Sequence, residues 1–99
     1  MALLSATTQP ITADGDYDAV LQEHQMDVTI TGTWGTGQVD ILAVNRIVPT
    51  ESAPIAGGAA ITSDFTDLYH GGKGTTVRFT VSGAGGGTSL TIATQPSRG

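Results

Sequence analysis

The sequence predicts an all-β protein, namely a single antiparallel β-sandwich of the jelly-roll or immunoglobulin-like kind with about six to eight short strands. The chain holds 16 Thr, 7 Val and 7 Ile among 99 residues, and such β-branched side chains suit a pleated sheet better than a helix. Fourteen glycines separate the β-branched runs, and no segment has a helical apolar period. The length fits one domain over residues 1–99, in which residues 1–13 are an extended arm or first strand. An all-β barrel is the close alternative.

The first pair of predicted strands lies on either side of Gly35-Thr36-Gly37. Apolar side chains alternate onto one face of residues 26–34, and these are Met26, Val28, Ile30 and Trp34. Residues 38–44 return after the short turn, which predicts an antiparallel hairpin. Leu42 and Val44 make the second face of residues 38–44 apolar too. Such a strand is either covered on both sides or presents one face to another chain.

A second hairpin is predicted from residues 75–81 and 88–94, which alternate in the same way around a glycine-rich loop. Residues 45–58 contain two prolines and two glycines, and we expect a long irregular connection with one short strand around Ile47. Three further short strands are expected, over residues 17–22, 59–62 and 65–69.

Charge and composition exclude several classes of function. The net charge of −5 opposes binding to a row of phosphates, so nucleic acid is not expected as a partner. With no cysteine, the chain has no disulfide, thiolate nucleophile or zinc–cysteine site. No signal peptide and no apolar run of transmembrane length is recognisable, so no membrane partner is expected. We expect neither a cofactor nor a bound metal.

Three alternating carboxylates, on Asp14, Asp16 and Asp18, are the one metal-like pattern in the sequence. The pattern departs from a helical calcium loop, because its sixth position is Ala19 and its twelfth is Gln25. An Asx-rich turn before a strand accounts for the same residues and is the preferred interpretation.

Catalytic residues are sought around His24 and His70, the two histidines, because Glu23 or Asp67 could orient one of them as a base. No nucleophile motif such as Gly-x-Ser-x-Gly accompanies them. Residues 71–75 lack the spacing of a phosphate-binding loop and are interpreted as a turn. The sequence therefore predicts a protein that is not an enzyme.

Two side chains have both a structural and an interface interpretation. Arg78 lies in mid-strand among threonines, where a cross-strand ion pair is the simpler expectation and an interface anchor the other. Trp34 is either buried at the rim of the sandwich or exposed for contact with a protein or sugar. The residues predicted at an interface with another chain are Ile41, Leu42, Val44, Arg78, Trp34, Pro49 and Pro54.

Four stretches, taken together, resemble small β-sandwich virion proteins of tailed bacteriophages. They are Ala13-Asp-Gly15, Val28-Thr-Ile-Thr-Gly-Thr-Trp-Gly-Thr-Gly37, Gly74-Thr-Thr-Val-Arg-Phe-Thr-Val-Ser-Gly-Ala84 and Thr88-Ser-Leu-Thr-Ile92. The resemblance implies a capsid decoration or cement protein on the outer capsid surface of the virion, commonly a homotrimer, whose partner is the major capsid protein. A tail, head-tail connector or fibre component remains an alternative. So does a carbohydrate-binding module that uses Trp34 or Tyr69 as a stacking platform.

Overall fold

Eight strands form the described part of the chain. The computed structural model describes residues 7–44, 47, 52–55 and 58–97, and none of these ranges forms a helix. The strands are β1 (Thr7–Ile11), β2 (Gly15–Val20), β3 (Gln25–Thr33), β4 (Gln38–Val44), β5 (Ser52–Pro54), β6 (Phe65–His70), β7 (Thr76–Ser82) and β8 (Ser89–Ser97). The prediction of an all-β chain is confirmed.

The strands build two antiparallel sheets of four, in the orders β1-β8-β3-β6 and β2-β7-β4-β5. Each order follows from four antiparallel pairs, in which β1 lies beside β8, β2 beside β7, β3 beside β6 and β4 beside β5. Rolling up this ribbon of pairs brings β8 against β3 and β7 against β4. This connectivity defines a jelly roll. Of the two sandwich types predicted, the jelly roll is therefore confirmed and the immunoglobulin-like type is wrong.

The core lies between the two sheets and consists of the side chains that alternate inward. Burial of these apolar groups is the main favourable term in folding. The buried cluster contains Ile11, Leu21, Met26, Val28, Ile30, Trp34, Val39, Ile41, Ile61, Val77, Phe79, Val81, Leu90 and Ile92. The predicted inward faces of residues 26–34 and 75–81 are thus confirmed.

The predicted pairing of neighbouring strands is wrong in both cases. β3 pairs with β6 and β8, whereas β4 pairs with β5 and β7, so residues 34–37 cross from one sheet to the other. β7 and β8 likewise belong to different sheets. The strands themselves are where the alternation indicated. A short glycine turn can connect strands across a sandwich as well as within one sheet, and the inward alternation is the same for both.

The smaller expectations have mixed outcomes. Ile47 lies in a bend, and no strand is found there among the described residues. The expected strand at 59–62 is reduced to a bridge between Ile61 and Val39. Part of the predicted N-terminal arm is β1, whose Pro10 is tolerated because β1 is an edge strand. Residues 1–6 lie outside the described residues.

The two ends of the sandwich differ in what they contain. One end, here the turn end, carries the connections at residues 12–14, 34–37, 62–64 and 83–88. The opposite end, here the terminal end, carries the connections at 21–24 and 71–75. The register also places at the terminal end the start of β1, the end of β4, the start of β5 and the end of β8.

Candidate interface

Arg78 is held on the outer face of the sheet that contains β2, β7 and β4. Its Nε donates to Asp18 Oδ1 at 2.9 Å and its Nη2 donates to Asp18 Oδ2 at 3.1 Å. Asp16 Oδ2 lies 4.0 Å from the same Nε. The hydrogen bonds and charge of Asp18, with a smaller contribution from Asp16, raise the pKa of Arg78. The predicted cross-strand ion pair is therefore confirmed.

The alternating carboxylates each have a separate partner within the chain. Asp14 Oδ1 accepts the backbone N–H of Ala84 at 2.7 Å. Asp16 Oδ1 accepts the Thr80 hydroxyl at 2.8 Å, and Asp18 binds Arg78. No group of three or more metal-ligating side chains is found among the described residues. Asp14, at the turn end, therefore joins the 83–88 loop to the start of β2, whereas an Asx turn would bond its own backbone two residues on.

The three predicted interface residues of β4 do not share one face. Ile41 is 1% exposed and belongs to the core between the sheets, so its placement at an interface is wrong. Leu42 points to the outer face, where it is half-buried opposite Arg78 on β7 and Pro54 on β5. Val44 follows on that outer face and is 9% exposed. The sequence placed Ile41 at an interface because alternation shows that a strand has two faces but does not show which face is buried.

Trp34 is anchored at the rim of the turn end. Its side chain is 9% exposed and belongs to the buried cluster, and its Nε1–H donates to Asp64 Oδ1 at 2.9 Å. Thr88 Oγ1 donates to the Trp34 carbonyl at 2.9 Å. The indole is therefore part of the fold, and neither the interface role nor the sugar-stacking role predicted for Trp34 fits this position.

The two predicted interface prolines lie in or near the connection between β4 and β5. Pro54 ends β5, an edge strand of its sheet, opposite Leu42. Pro49 lies outside the described residues. The main-chain groups of Ile55 and Gly58 continue along β4, since Ile41 N donates to Gly58 O at 2.7 Å and Ile55 N donates to Ile41 O at 3.1 Å.

The histidines lie close together at the terminal end but have ordinary partners. His24 Nδ1 is 3.3 Å from the Gly71 carbonyl oxygen, and the Gly71 N–H donates to the His24 carbonyl at 2.9 Å. Gln25 Nε2 lies 3.3 Å from His70 Nδ1. Both histidines are exposed. Residues 71–75 form the predicted turn, in which Thr75 N donates to the Gly72 carbonyl at 3.0 Å.

A cleft that the sequence did not predict opens between β6 and the Ile55 segment, where the edges of the two sheets face each other. Its volume is about 240 Å³. Its walls are mostly apolar, and the lining residues are Val28, Ile41, Ile55, Phe65, Asp67, Leu68, Tyr69 and His70. The one available signal was the alternation of Phe65, Asp67 and Tyr69 on one face of a strand. The opposite wall comes from β4 and Ile55, which the sequence alone does not place beside β6.

Fold and surface together define a small, acidic jelly-roll sandwich with an aspartate–arginine pair on the outer face of one sheet. No helix in the described ranges is long and apolar enough to span a bilayer. No protein-family model, curated protein or solved structure shows significant similarity to this chain.

Proposed function

We propose that this protein is a non-enzymatic structural component of a bacteriophage particle. Specifically, we propose a decoration or cement protein that binds the assembled major capsid protein lattice on the outer capsid surface and stabilises it. The sequence resemblance to small β-sandwich virion proteins supports this proposal. So does the fold class, since jelly rolls are common in viral coat proteins, although a fold hosts many functions.

The structural observation that carries the proposal is that four strand ends lie together at one end of the sandwich, namely the start of β1, the end of β4, the start of β5 and the end of β8. Thr7, Val44, Ser52 and Ser97 all lie at the terminal end. The N-terminal six residues, the connection from β4 to β5 and the last two residues therefore all attach there. A rigid body that makes its contacts from one such end can bind several neighbouring subunits at once. Several weak contacts made together give a high overall affinity.

Cementing then follows from linkage. A protein that binds only the assembled lattice stabilises that lattice by an amount set by its concentration relative to its Kd. A homotrimer multiplies the contacts, and the outer face around Leu42, beside the backbone of β5, is the proposed contact between sister subunits. The negative charge of the chain suits a lattice surface that is basic at the binding site.

The test is the melting temperature of capsids that lack the protein, measured with and without added protein. We expect an increase for the full chain and a much smaller one for a variant that lacks residues 1–6. The control is Gly86→Ser at the turn end, where no atom lies within 4 Å of an added Cβ, and this variant should act like the full chain. If saturating full-length protein leaves capsid melting unchanged, the cement role is wrong.

Native mass spectrometry separates this proposal from the tail or connector alternative. A trimer favours decoration at three-fold positions of the lattice. A ring of six or twelve subunits favours the tail or connector, because those parts of a particle have such symmetry. The series should cover a range of protein concentrations, so that a weak trimer is not mistaken for a monomer.

A further inference from the structure

The cleft between β6 and the Ile55 segment has walls and a rim of different chemical character. Val28 and Ile41 form its floor from the two sheets, and Ile55 closes one side. Phe65 and Tyr69 are half-buried and pack against the core from the β6 side. An apolar cavity of roughly 150 Å³ accommodates a benzene ring. At about 240 Å³ this cleft has room for one ring or alkyl chain with a short extension.

Asp67 places a carboxylate between the two aromatic residues on β6. Residues 65, 67 and 69 alternate onto one face of the strand, opposite Ile30, Val28 and Met26 of β3. The Asp67 side chain is exposed at the mouth of the cleft, and its Oδ1 accepts the N–H of Leu68 at 2.7 Å. Within the described residues it forms no ion pair, because the ion pairs found there join Arg78 to Asp16 and Asp18 on the other sheet.

The position of Tyr69 is fixed by the turn that follows it. A Cβ at Gly71 would lie 2.7 Å from Tyr69 Cε1 and 2.9 Å from its hydroxyl oxygen, so the ring lies directly on the glycine. The Gly71 N–H is in turn bound to the His24 carbonyl at 2.9 Å. Tyr69 therefore packs closely over this turn, and a wall that needs little rearrangement reduces the entropic cost of binding.

We propose that this cleft is a binding site for an organic ammonium group carried on an apolar stem. The stem fills the space between Phe65, Tyr69 and Ile55, and the ammonium lies at the mouth near the Asp67 carboxylate. Aromatic faces and a carboxylate both attract a cation, whereas they favour no anion. The net charge of −5 adds a general attraction for cations. This inference is independent of the decoration role.

The test is a titration of the ¹⁵N-labelled protein, followed by the amide chemical shifts, with phenethylamine and with its neutral analogue 2-phenylethanol. Shifts are expected at Phe65, Asp67 and Tyr69, and 2-phenylethanol should bind about fivefold more weakly because it lacks the ion pair. The second amine is Nα-acetyl-lysine N-methylamide, whose side-chain ammonium group is free. Tighter binding of phenethylamine indicates a free small molecule as the natural ligand, and tighter binding of the lysine derivative indicates a lysine side chain of another protein.

Asp67→Asn and Asp27→Asn are the matched variants, and each removes one negative charge from an exposed carboxylate. Asp27 lies on the outer face of β3, on the neighbouring strand but facing away from the cleft. We expect Asp67→Asn to weaken phenethylamine binding about fivefold and Asp27→Asn to change it less than twofold. Equal binding of amine and alcohol, no effect of Asp67→Asn, or shifts confined to residues outside the cleft would each overturn the proposal.

Discussion

The turn end and the terminal end of the sandwich are held together in different ways. At the turn end, side chains bind the backbone of neighbouring loops. Asp64 accepts from the Gly32 N–H, Thr36 donates to the Gly83 carbonyl and Thr88 to the Trp34 carbonyl. At the terminal end, most hydrogen bonds between the described loop residues join backbone to backbone, as between Leu21 and Thr75. The difference teaches that, in the part of the chain that the structure describes, side-chain hydrogen bonds between loops concentrate at the turn end, and we infer that stability concentrates there too.

The largest expected effect comes from Trp34→Ala at the turn end. The change removes a buried indole from the core and leaves Asp64 without its 2.9 Å bond. We expect a loss of about 3–5 kcal/mol in the free energy of unfolding, measured by urea denaturation. Tyr17→Ala is the comparison, because Tyr17 is only half-buried. If Trp34→Ala lowers the free energy of unfolding by less than about 1 kcal/mol, the turn end is not the more stable end of the sandwich.

Gly32→Ala should be the next most damaging change. Gly32 has φ +135°, and a Cβ there would clash with the Ser89 carbonyl oxygen, which belongs to the backbone and cannot move aside easily. We expect a loss of about 2–3 kcal/mol in the same denaturation experiment. Gly86→Ala supplies the control, since nothing surrounds that position. Equal stability of the two variants would contradict the close packing of β3 against β8.

Thr88→Val removes two hydrogen bonds of one side chain while the volume of that side chain stays nearly constant. The Thr88 hydroxyl donates to the Trp34 carbonyl at 2.9 Å and accepts the Gly85 N–H at 3.2 Å. The side chain is 4% exposed, so water replaces these bonds poorly. We expect a loss of about 1–2 kcal/mol. Thr88→Ser, which keeps the hydroxyl, should recover much of it, and equal losses for both variants would assign the effect to packing.

His24→Ala at the terminal end should have the smallest effect. The ring is exposed and lies 3.3 Å from one carbonyl oxygen. We expect a change within about 0.5 kcal/mol in the free energy of unfolding. The same urea titration measures it beside the turn-end variants. A loss above about 1.5 kcal/mol would show that the two ends are equally well tied and would remove the distinction between them.

The strand positions could be predicted from sequence because the inward side chains alternate with period two. Met26, Val28 and Ile30 are apolar against polar neighbours, and the structure buries all three. The pairing of the strands could not be predicted in the same way. Hydrophobic alternation is identical whether Gly35 and Gly37 connect strands of one sheet or of two, so the jelly roll and the immunoglobulin-like sandwich stayed equivalent.

Contacts between surface side chains could be predicted only where an isolated charge indicates that an oppositely charged partner is needed. A cross-strand ion pair of Arg78 followed from an isolated cation in a threonine-rich strand, although its partner Asp18 was not predicted. Ile41, in contrast, was assigned to an interface although it faces the core. The cleft was out of reach because its walls come from β4, β6 and Ile55, which are distant in sequence. A single sequence shows which side chains lie along one wall of the cleft, but the residues of the opposite wall depend on how the strands are arranged in the fold.

The pairing of β1 with β8 has a consequence for how the protein is made. Thr7 lies opposite Thr94, and β8 also pairs along its whole length with β3. During synthesis, β1 and β3 therefore cannot complete their sheet until β8 has left the ribosome. Folding of such non-local pairs is slow, on the order of milliseconds to seconds. A nascent chain stalled before residue 89 exposes the edge of β3, where other chains can bind.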